Sequence, residues 1–525
     1  DFGKIREGGF LYVDKTARIH ELLTGSGGIF FLSRPRRFGK SLLCSTLGAL
    51  FEGRRELFGP IAGQPSLAID VLDWEWKQHP VIRIDLNAGD YEKGTDELLV
   101  TIKRMLELCA GKHDVPFAGE TLSDIFARLI FSLHEKYKEK VIVIVDEYDK
   151  PLLTTIDVPD IHKEIRNALK AFYGVLKSSD EYLRMAFLTG VTKFSQVSVF
   201  SDLNNITDIS FAPRFNDLCG ITQEELERDF AADIAAVLKE KHGDRHSYLA
   251  EVKRFYNGYR FSEKPETLYN PFGLLNHFNE LGKFGVYWFA TGTPAFLVTL
   301  IENQKIDILR LEKTSLTFAG LQKFNVDNMD ALAVLYQSGY LTIVDYDEEF
   351  GIYTLDYPNE EVRSAFAEAL LEQYVRVPAQ DVNAMVVKLP KALSKGDIEG
   401  ALQMLPPFFA SIPYDIQIKD ERYYQTVIHL LFRMLGLYCR SEVRIAAGRI
   451  DTLVETKQYV YCFEFKLNGA AEEALTQIDS KDYLLPWEGS GKGLVKVGVS
   501  FDYEKRNIGE WKTARVADSS GTLLA

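Results

Sequence analysis

Runs of apolar residues are the clearest pattern in the first 200 residues, and they predict the strands of a parallel sheet. The strongest run, VIVIV at residues 141–145, lacks the alternation of a strand with one face in water. Such a run is typical of a central parallel strand covered on both faces. Residues 29–32, 80–86 and 183–190 are further apolar runs. We therefore expect an α/β fold.

Helical periodicity fills the spaces between these runs and continues beyond them. Apolar residues recur at helical spacing in residues 98–108 and 122–137. Prolines at positions 406, 407 and 413 mark a later boundary. A chain of 525 residues is too long for one core, so several domains are expected. The predicted domains are a sheet core at 1–211, a helical segment at 212–300, an α/β connector at 301–410 and a last module at 411–525.

The last module begins with an amphipathic helix and continues into a strand pair. The helix pattern covers residues 420–432, with Asp420 as its predicted N-cap. Residues 448–454 and 459–467 have strand patterns, and a short polar turn at residues 456–458 separates them. This arrangement predicts a β-hairpin.

Charge and cysteine content limit the classes of function. The formal net charge of −14 argues against a basic surface over the whole chain. Residues 411–525 do not share this acidity, because they hold 15 Lys and Arg against 16 Asp and Glu. A local basic patch there would be enough for nucleic acid. Five scattered cysteines without a C-x-x-C pair fit the reducing cytosol, so we expect a cytoplasmic protein. No apolar run approaches the roughly 18 residues of a membrane helix, so no membrane partner is expected.

A basic turn ending in Gly-Lys-Ser separates the strand at residues 29–32 from a helix that starts near Leu42. Backbone N–H groups at the start of a helix, together with the helix dipole, favour a bound phosphate. Lys40 would reach the β- and γ-phosphates, and the Ser41 hydroxyl would bind Mg²⁺. Arg34 replaces the first glycine of the full motif, and a solvated basic loop is the alternative. The predicted cofactor-binding segment is Arg36, Arg37, Phe38, Gly39, Lys40 and Ser41.

Two acidic residues follow the strongest strand pattern, where α/β sheets place ligand chemistry. Asp146 can hold Mg²⁺ through its water shell. Glu147 can polarise the attacking water and is the predicted catalytic residue. An acidic loop that caps a buried strand is the alternative. Together with the Gly-Lys-Ser turn, the pair favours a site for ATP and Mg²⁺.

A second acidic site is predicted on the hairpin of the last module. Glu464 and Lys466 share a face of their strand, because side chains two residues apart point the same way. A carboxylate and an ammonium on an apolar strand are costly to bury unless they are paired or bind a metal. Asp451 on the partner strand would complete a site for Mg²⁺ or Mn²⁺. Lys466 would orient or deprotonate a water beside a scissile phosphate. The alternative is an exposed ion pair on an edge strand.

Seven further stretches of the chain are distinctive: YVDKT at 12–16, RPRRFGKSL at 34–42, VDEYDKP at 145–151, LTGVTKF at 188–194, FYNGY at 255–259, YNPF at 269–272 and PNEEVR at 358–363. Together they resemble the AAA-ATPase-like family of bacterial proteins, whose members commonly carry a C-terminal domain of the PD-(D/E)XK nuclease superfamily. The resemblance covers nearly the whole chain, and the replaced first glycine belongs to that family's own pattern.

The resemblance implies a P-loop NTPase core of the AAA or ASCE type with a helical lid, followed by a restriction-endonuclease-like domain. It places the strand at 183–190 between the phosphate-loop strand and the Asp146 strand. Thr189 would then sense the γ-phosphate, with a plain strand-end hydroxyl as the alternative. The aromatic run at 255–261 would be a base-stacking platform or, as the favoured interpretation, core. Arg214 and Arg260 would contact phosphate in a neighbouring subunit or simply lie on a solvated face.

In the last module, the resemblance assigns Asp451, Glu464 and Lys466 to the nuclease core. Gln477 and Tyr483 match a Gln and Tyr element of the following helix, and Glu421 lies where the first helix contributes an acidic residue.

The sequence therefore predicts an ATPase joined to a metal-dependent nuclease. Its partners would be ATP and nucleic acid, with DNA favoured, and a homo-oligomer is compatible with the sequence. The alternative is a nucleotide-dependent switch or scaffold that binds nucleic acid or a partner without cleavage. The replaced glycine and the acidic charge favour that alternative.

Overall fold

The chain divides into two compact units, residues 1–288 with 315–359 and residues 289–314 with 360–525. The computed structural model describes residues 1–525 except 26–27, 194–204, 290–296, 299, 302–303, 305, 323–329, 376–378, 413–420, 435–437, 446–447, 503 and 517–525. The predicted cap Asp420 and the proline at 413 lie outside the described residues. No described helix is both long and apolar enough to cross a membrane. The division into four domains stays a prediction.

The first unit is built on a parallel sheet. Its described strands are β1 Ile29–Ser33, β2 Val81–Asp85, β3 Val141–Asp146, β4 Leu183–Gly190 and β5 Ile206–Asp208. Their order is β2-β3-β4-β1-β5, and neighbouring strands run parallel. β4 lies between β1 and β3, as the family resemblance implied. The predicted α/β fold class with a P-loop NTPase type of sheet is confirmed.

Helices cover this sheet, which explains why every residue of β1 and β3 is buried. α3 and α6 contact β3, and α5 contacts β2. α5 is longer than the predicted 98–108, because acidic residues in its first turn and basic residues in its last favour its dipole at both ends. The helices are α1 Phe2–Glu7, α2 Thr16–Thr24, α3 Lys40–Phe51, α4 Ala68–Val71, α5 Thr95–His113, α6 Leu122–Tyr137, α7 Lys150–Thr154 and α8 Pro159–Ser178.

Four further helices follow the sheet and surround their own apolar cluster. They are α9 Gln223–Asp229, α10 Ala231–Lys241, α11 Arg245–Tyr256 and α12 Pro271–Asn279. α9 begins with a capping box formed by Thr222 and Glu225. α12 begins after Asn270, whose side chain accepts hydrogen bonds from the next turn. These local caps explain why the helices begin where the sequence pattern predicted a helical segment.

The aromatic run at 255–261 belongs to the core, as the favoured interpretation predicted. Tyr256 and Tyr259 are fully buried, so they present no stacking surface. Gly258 has a φ of +101°, and a Cβ there would lie 1.8 Å from the Pro358 carbonyl oxygen. Asn359 donates a hydrogen bond to the Asn257 carbonyl at 2.7 Å. The stretches FYNGY and PNEEVR therefore contact each other.

The rest of the first unit includes a small sheet, and the second unit holds a five-stranded one. β6 Thr314–Thr317, β7 Thr342–Asp347 and β8 Ile352–Asp356 have the order β6-β8-β7, with α13 Phe318–Gln322 and α14 Ala331–Ser338 before β7. The second unit's described strands are β9 Tyr438–Ile445, β10 Gly448–Glu455, β11 Tyr459–Leu467, β12 Gly493–Asp502 and β13 Asn507–Arg515. Its helices are α15 Glu360–Val375, α16 Ala379–Ser394, α17 Ile398–Gln403, α18 Leu405–Ser411, α19 Glu421–Met434 and α20 Ala471–Ser480.

The predicted hairpin is β10 and β11. The two strands pair antiparallel, with Thr452 opposite Phe463 and Leu453 opposite Cys462. The sheet order is β13-β12-β11-β10-β9, so β11 is the central strand and runs parallel to β12. The hairpin is therefore no free edge, and its polar residues are held inside a mixed sheet.

Candidate functional sites

The Gly-Lys-Ser turn adopts a left-handed backbone immediately before α3. Gly39 has a φ of +99° and Arg37 a φ of +60°. Neighbouring segments hold the turn, because Trp288 Nε1 donates to the Arg36 carbonyl at 2.9 Å and the Gly220 amide donates to the Phe38 carbonyl at 3.2 Å. The start of α3 is thereby fixed as a group of backbone N–H donors.

The side chains of this turn are used in different ways. Phe38 is fully buried and packs against the rings of Tyr259 and Phe261, so only its backbone is left for a nucleotide. The Arg37 guanidinium lies 3.9 Å from the centroid of the Phe272 ring in α12. Ser41 is exposed at the start of α3.

Arg34 replaces the first motif glycine without strain. Its backbone is not in the left-handed region, so the position does not need glycine. The guanidinium is almost fully buried and donates to the carbonyls of Ser33 and Ser210 at 2.8 and 2.9 Å. It also lies 4.2 Å from the Phe261 ring centroid. Arg34 therefore stabilises the loop through its contacts with Ser210 and Phe261, a role that no local sequence pattern indicated.

Lys40 points into the loop and meets Glu147. Its Nζ donates to the carbonyls of Arg34 and Pro35 at 3.1 and 3.2 Å and lies 3.4 Å from Glu147 Oε1. Only 3% of Lys40 is exposed. Glu147 has a φ of +53°, an uncommon conformation for a residue with a side chain. The structure thus brings together the predicted phosphate-binding lysine and the predicted catalytic glutamate.

Asp146 and Thr189 also meet at this edge of the sheet. Thr189 Oγ1 donates to Asp146 Oδ1 at 2.6 Å, and Thr189 is fully buried. A sensor or a strand-end hydroxyl would both make this bond, so the role of Thr189 stays a prediction. The neighbouring strand adds Asp85, which pairs in register with Asp146. Burial is the main cause that raises the pKa of Asp85.

Asp149 belongs to this site and, like Asp85, was not predicted from the sequence. It is fully buried, and burial followed by the nearby Glu147 carboxylate raises its pKa to about 6. The only signal in the sequence was its place in the stretch VDEYDKP, next to an apolar strand. Its partners lie 42 and 43 residues away in the chain, so local pattern could not reveal them.

An apolar cavity of about 160 Å³ opens beside Gly39. The cavity is smaller than most whole-ligand pockets, so it has room for about one ring system. Among its lining residues are Tyr12 and Val13 from the N-terminal segment, Leu42 and Leu43 from α3, and Ile221, Pro271 and Leu275 from the helical segment.

Of the residues predicted to contact phosphate from another subunit, Arg260 does not fit. It is 7% exposed, and its guanidinium donates to the main-chain carbonyls of Ser262, Glu263 and Val344. Arg214 is exposed and pairs with Glu21. Arg260 is therefore a structural residue, and both interpretations of it, the phosphate contact and the solvated face, were wrong.

The second predicted site lies on the hairpin in the second unit. Asp451 Oδ2 accepts a hydrogen bond from the Phe465 amide at 2.9 Å, which holds it beside Glu464. Lys466 Nζ lies 3.4 Å from Glu464 Oε1 and 2.7 Å from Gln477 Oε1. The structure therefore brings Asp451, Glu464 and Lys466 together, and the alternative of an exposed edge pair does not fit because Glu464 is 2% exposed.

Residues of two helices support this group. Gln477 in α20 donates to Glu464 Oε1 and lies 3.4 Å from the Tyr483 hydroxyl. Glu421 in α19 accepts a hydrogen bond from the Leu467 amide at 3.1 Å. Both contacts fix the end of β11 that carries Lys466.

The surroundings of Glu464 are those expected of a residue that binds a divalent cation. The Oε2 atom of Glu464 is buried and accepts no hydrogen bond from the residues that the structure describes. Burial, then the Asp451 charge, raises the pKa of Glu464 from its ordinary value near 4.5 to about 8. Within the described part of the chain, no three His, Cys, Asp or Glu side chains gather as one metal-binding group. Asp451 and Glu464 would therefore hold a cation together with main-chain oxygens, water or substrate.

In metal-free protein, we expect the thermal stability to depend on pH because folded Glu464 keeps its proton to a higher pH than unfolded Glu464 does. The folded chain keeps this proton between about pH 4.5 and 8, whereas the unfolded chain releases it, so stability falls as the pH rises through that range. Glu464→Gln removes the effect. In EDTA we expect its melting temperature to exceed that of the wild type by at least about 3 °C at pH 8.5, and by less at pH 5.5. Scanning calorimetry at both pH values measures this.

The exposed Glu473→Gln variant is the control, since it removes a carboxylate of the same unit. An equal difference at both pH values for Glu464→Gln would contradict the raised pKa.

Family models match the parts of the chain that carry the two candidate sites. A family model described as predicted AAA-ATPase matches residues 1–200, and a model of the PD-(D/E)XK nuclease superfamily matches residues 419–511. A relative from Azotobacter chroococcum mcd 1, described as an uncharacterized protein in the vnfD 5' region, is 38% identical over 527 residues. The match covers 97% of this chain and 96% of the relative. The chain therefore belongs to the AAA-ATPase-like family and carries a C-terminal domain of the PD-(D/E)XK nuclease superfamily.

Proposed function

We propose that this protein binds ATP with Mg²⁺ at the Lys40 loop and cleaves phosphodiester bonds of nucleic acid at Asp451, Glu464 and Lys466. The observation that carries the nuclease half is the buried Glu464 Oε2 atom, which accepts no hydrogen bond within the described part of the chain and lies beside a second carboxylate and an oriented ammonium. A carboxylate in such a place is costly unless a cation binds it.

At the nuclease site, each residue has a separate task. Asp451 and Glu464 would hold Mg²⁺ or Mn²⁺, and the ion would offset the charge that develops on the scissile phosphate. Gln477 holds the Lys466 ammonium at 2.7 Å. Lys466 would orient the attacking water and offset further negative charge. Glu421 keeps the end of β11 in place through the Leu467 amide.

At the nucleotide site, the contacts of Lys40 support a phosphate-binding role. Its buried ammonium faces main-chain carbonyls and Glu147, and a phosphate would be a stronger partner for it than a carbonyl. Ser41 and Asp146 would hold Mg²⁺, and Glu147 would polarise the attacking water. The apolar cavity beside Gly39 would take the base. Thr189, whose hydroxyl donates a hydrogen bond to Asp146, would sense the γ-phosphate.

A nucleotide-dependent switch that does not cleave nucleic acid is the second candidate. The ion pair between Lys40 and Glu147 favours it, because this pair occupies both residues that turnover would use. In that case ATP would bind and alter the protein, and the second unit would hold nucleic acid or a protein without cutting it. The net charge of −14 also favours this candidate.

The metal dependence of nucleic-acid cleavage distinguishes the two candidate functions. The full-length protein is incubated with linear DNA, supercoiled DNA and single-stranded RNA, each with Mn²⁺, with Mg²⁺ and with EDTA, and with or without ATP. We expect cleavage of DNA that EDTA abolishes and added Mn²⁺ restores, because two carboxylates alone cannot offset the phosphate charge. Gel electrophoresis of the products measures it.

Cleavage that persists in EDTA would contradict the metal site. Binding of DNA without cleavage under every condition would favour the switch.

A further inference from the structure

A buried carboxylate joins the end of β4 to the turn that carries Glu147. Asp149 Oδ2 accepts hydrogen bonds from the Val191 amide at 3.0 Å, from the Thr192 amide at 2.7 Å and from Thr192 Oγ1 at 2.7 Å. Asp149 is fully buried, and no cation is within ion-pair distance of it among the described residues. Three donors on one oxygen compensate part of the cost of burying the charge. We call this arrangement the Asp149 clamp.

The residue just before it, Tyr148, is tied to the same segment. Its amide donates to the Thr189 carbonyl at 2.9 Å, and its hydroxyl donates to the Thr192 carbonyl at 2.8 Å. Tyr148 and Asp149 therefore hold the turn after β3 against the chain after β4.

Gly190 makes this close approach sterically feasible. A Cβ on Gly190 would lie 2.5 Å from the Tyr148 ring and 2.6 Å from Asp149 Oδ1. Real side chains do not tolerate such distances to buried neighbours, so glycine is needed at this position. The turn after β3 and the chain after β4 can therefore pack this closely only with glycine at position 190.

The turn that the clamp holds is strained at Glu147. The Lys150 amide closes it by donating to the Glu147 carbonyl at 3.0 Å, and Glu147 has a φ of +53°. A non-glycine residue keeps such a conformation only where its surroundings enforce it. In this conformation the Glu147 carboxylate lies 3.4 Å from Lys40 Nζ.

We propose that Asp149 is a positioning residue for ATP turnover: through the Val191–Thr192 backbone it holds the Glu147 turn in the strained conformation that aims the Glu147 carboxylate at the Lys40 site. The inference rests on the proposed ATPase function. Asp149 itself is fully buried, so it acts through Glu147 and does not contact the nucleotide. Misplacing a reacting group by about 1 Å can cost about 100-fold in rate.

Full-length protein is compared as wild type, Asp149→Ala, Asp149→Asn and Thr192→Val, with exposed Asp233→Ala as the matched control. Phosphate release gives kcat and KM, and titration with a fluorescent ATP analogue gives Kd. For Asp149→Ala we expect kcat to fall about 30- to 100-fold while KM and Kd stay within about threefold. Asp149→Asn should restore kcat to within about fivefold of wild type, because its amide oxygen can accept the same hydrogen bonds.

A double variant tests whether Asp149 acts through Glu147. On a Glu147→Gln background, Asp149→Ala should change single-turnover phosphate release by less than about twofold, because the group it positions is already gone. A further loss of 30-fold or more on that background would overturn the proposal, and so would an unchanged kcat in Asp149→Ala.

Thr192→Val keeps the volume of the side chain and removes only one hydrogen bond, so it remains informative if Asp149→Ala does not fold. We expect a drop in kcat of about threefold to tenfold with Kd unchanged, and no drop would count against the clamp. If wild-type protein releases no more phosphate than Glu147→Gln, the ATPase function fails and the inference with it. If wild type is active and Asp149→Ala equals it, only the inference fails.

Discussion

Replacing Lys466 with alanine is expected to lower metal-dependent cleavage of nucleic acid by at least about 100-fold, the usual cost of removing a positioned proton-transfer or charge-stabilising group. The Lys466 ammonium is held by Gln477 at 2.7 Å and lies 3.4 Å from Glu464 Oε1, and among the described residues Glu464 forms no other ion pair. The measurement is the initial rate of DNA cleavage in Mn²⁺ for full-length protein.

We expect Lys466→Ala to slow the cleavage step and to change the stability of the fold little. Lys466 is partly exposed, so alanine removes no large buried side chain. Lys512→Ala is the matched control, because Lys512 lies on β13 of the same sheet and its ammonium pairs with Glu472 at the surface. If Lys466→Ala and Lys512→Ala cleave at the same rate, the assignment of the nuclease site is wrong.

Glu147→Gln is expected to lower kcat for ATP hydrolysis by about 100- to 1000-fold, because glutamine keeps the shape of the side chain but cannot polarise the attacking water as a base. Nucleotide affinity should not weaken. The Glu147 carboxylate pairs with Lys40, and removing its charge leaves Lys40 free to meet a phosphate. Phosphate release and nucleotide titration on the same preparation measure both quantities.

Two further variants separate binding from turnover at this site. Lys40→Ala should weaken ATP binding by at least about tenfold, since it removes a charge-assisted contact to phosphate. Exposed Glu107→Gln on α5 is the control for removing a carboxylate from this unit. Tight ATP binding with no phosphate release, equal in wild type and Glu147→Gln, would identify the protein as a switch.

The replaced glycine had favoured the switch, and the structure weakens that reasoning. A glycine is needed in a phosphate loop where the backbone is left-handed, and Arg34 is not in that conformation. The left-handed positions are Arg37 and Gly39, nearer the helix. The Arg34 side chain instead ties the loop to carbonyls of the segment after β5.

The sequence pattern predicted a structural feature correctly where one strand or hairpin contains all the residues that determine it. The uninterrupted apolar run before Asp146 predicted a covered central strand, and two strand patterns separated by the polar turn at residues 456–458 predicted the hairpin of Asp451 and Glu464. Side chains two apart on a strand share a face, so the proximity of Glu464 and Lys466 also followed from the sequence. The place of β4 in the sheet came from the family resemblance, because strand order is not a local property.

The amino-acid sequence by itself determined four strands of the first sheet, the phosphate-loop motif and the acidic pair of the hairpin, because each depends on residues no more than 13 positions apart. Only the tertiary structure decided which polar groups are buried together. The Asp149 clamp joins residues 42 and 43 positions apart, and Lys40 meets Glu147 more than 100 residues away. The cost of burying a charge depends on all its neighbours in space, so the raised pKa values of Asp149 and Glu464 follow from packing that no short stretch of sequence contains.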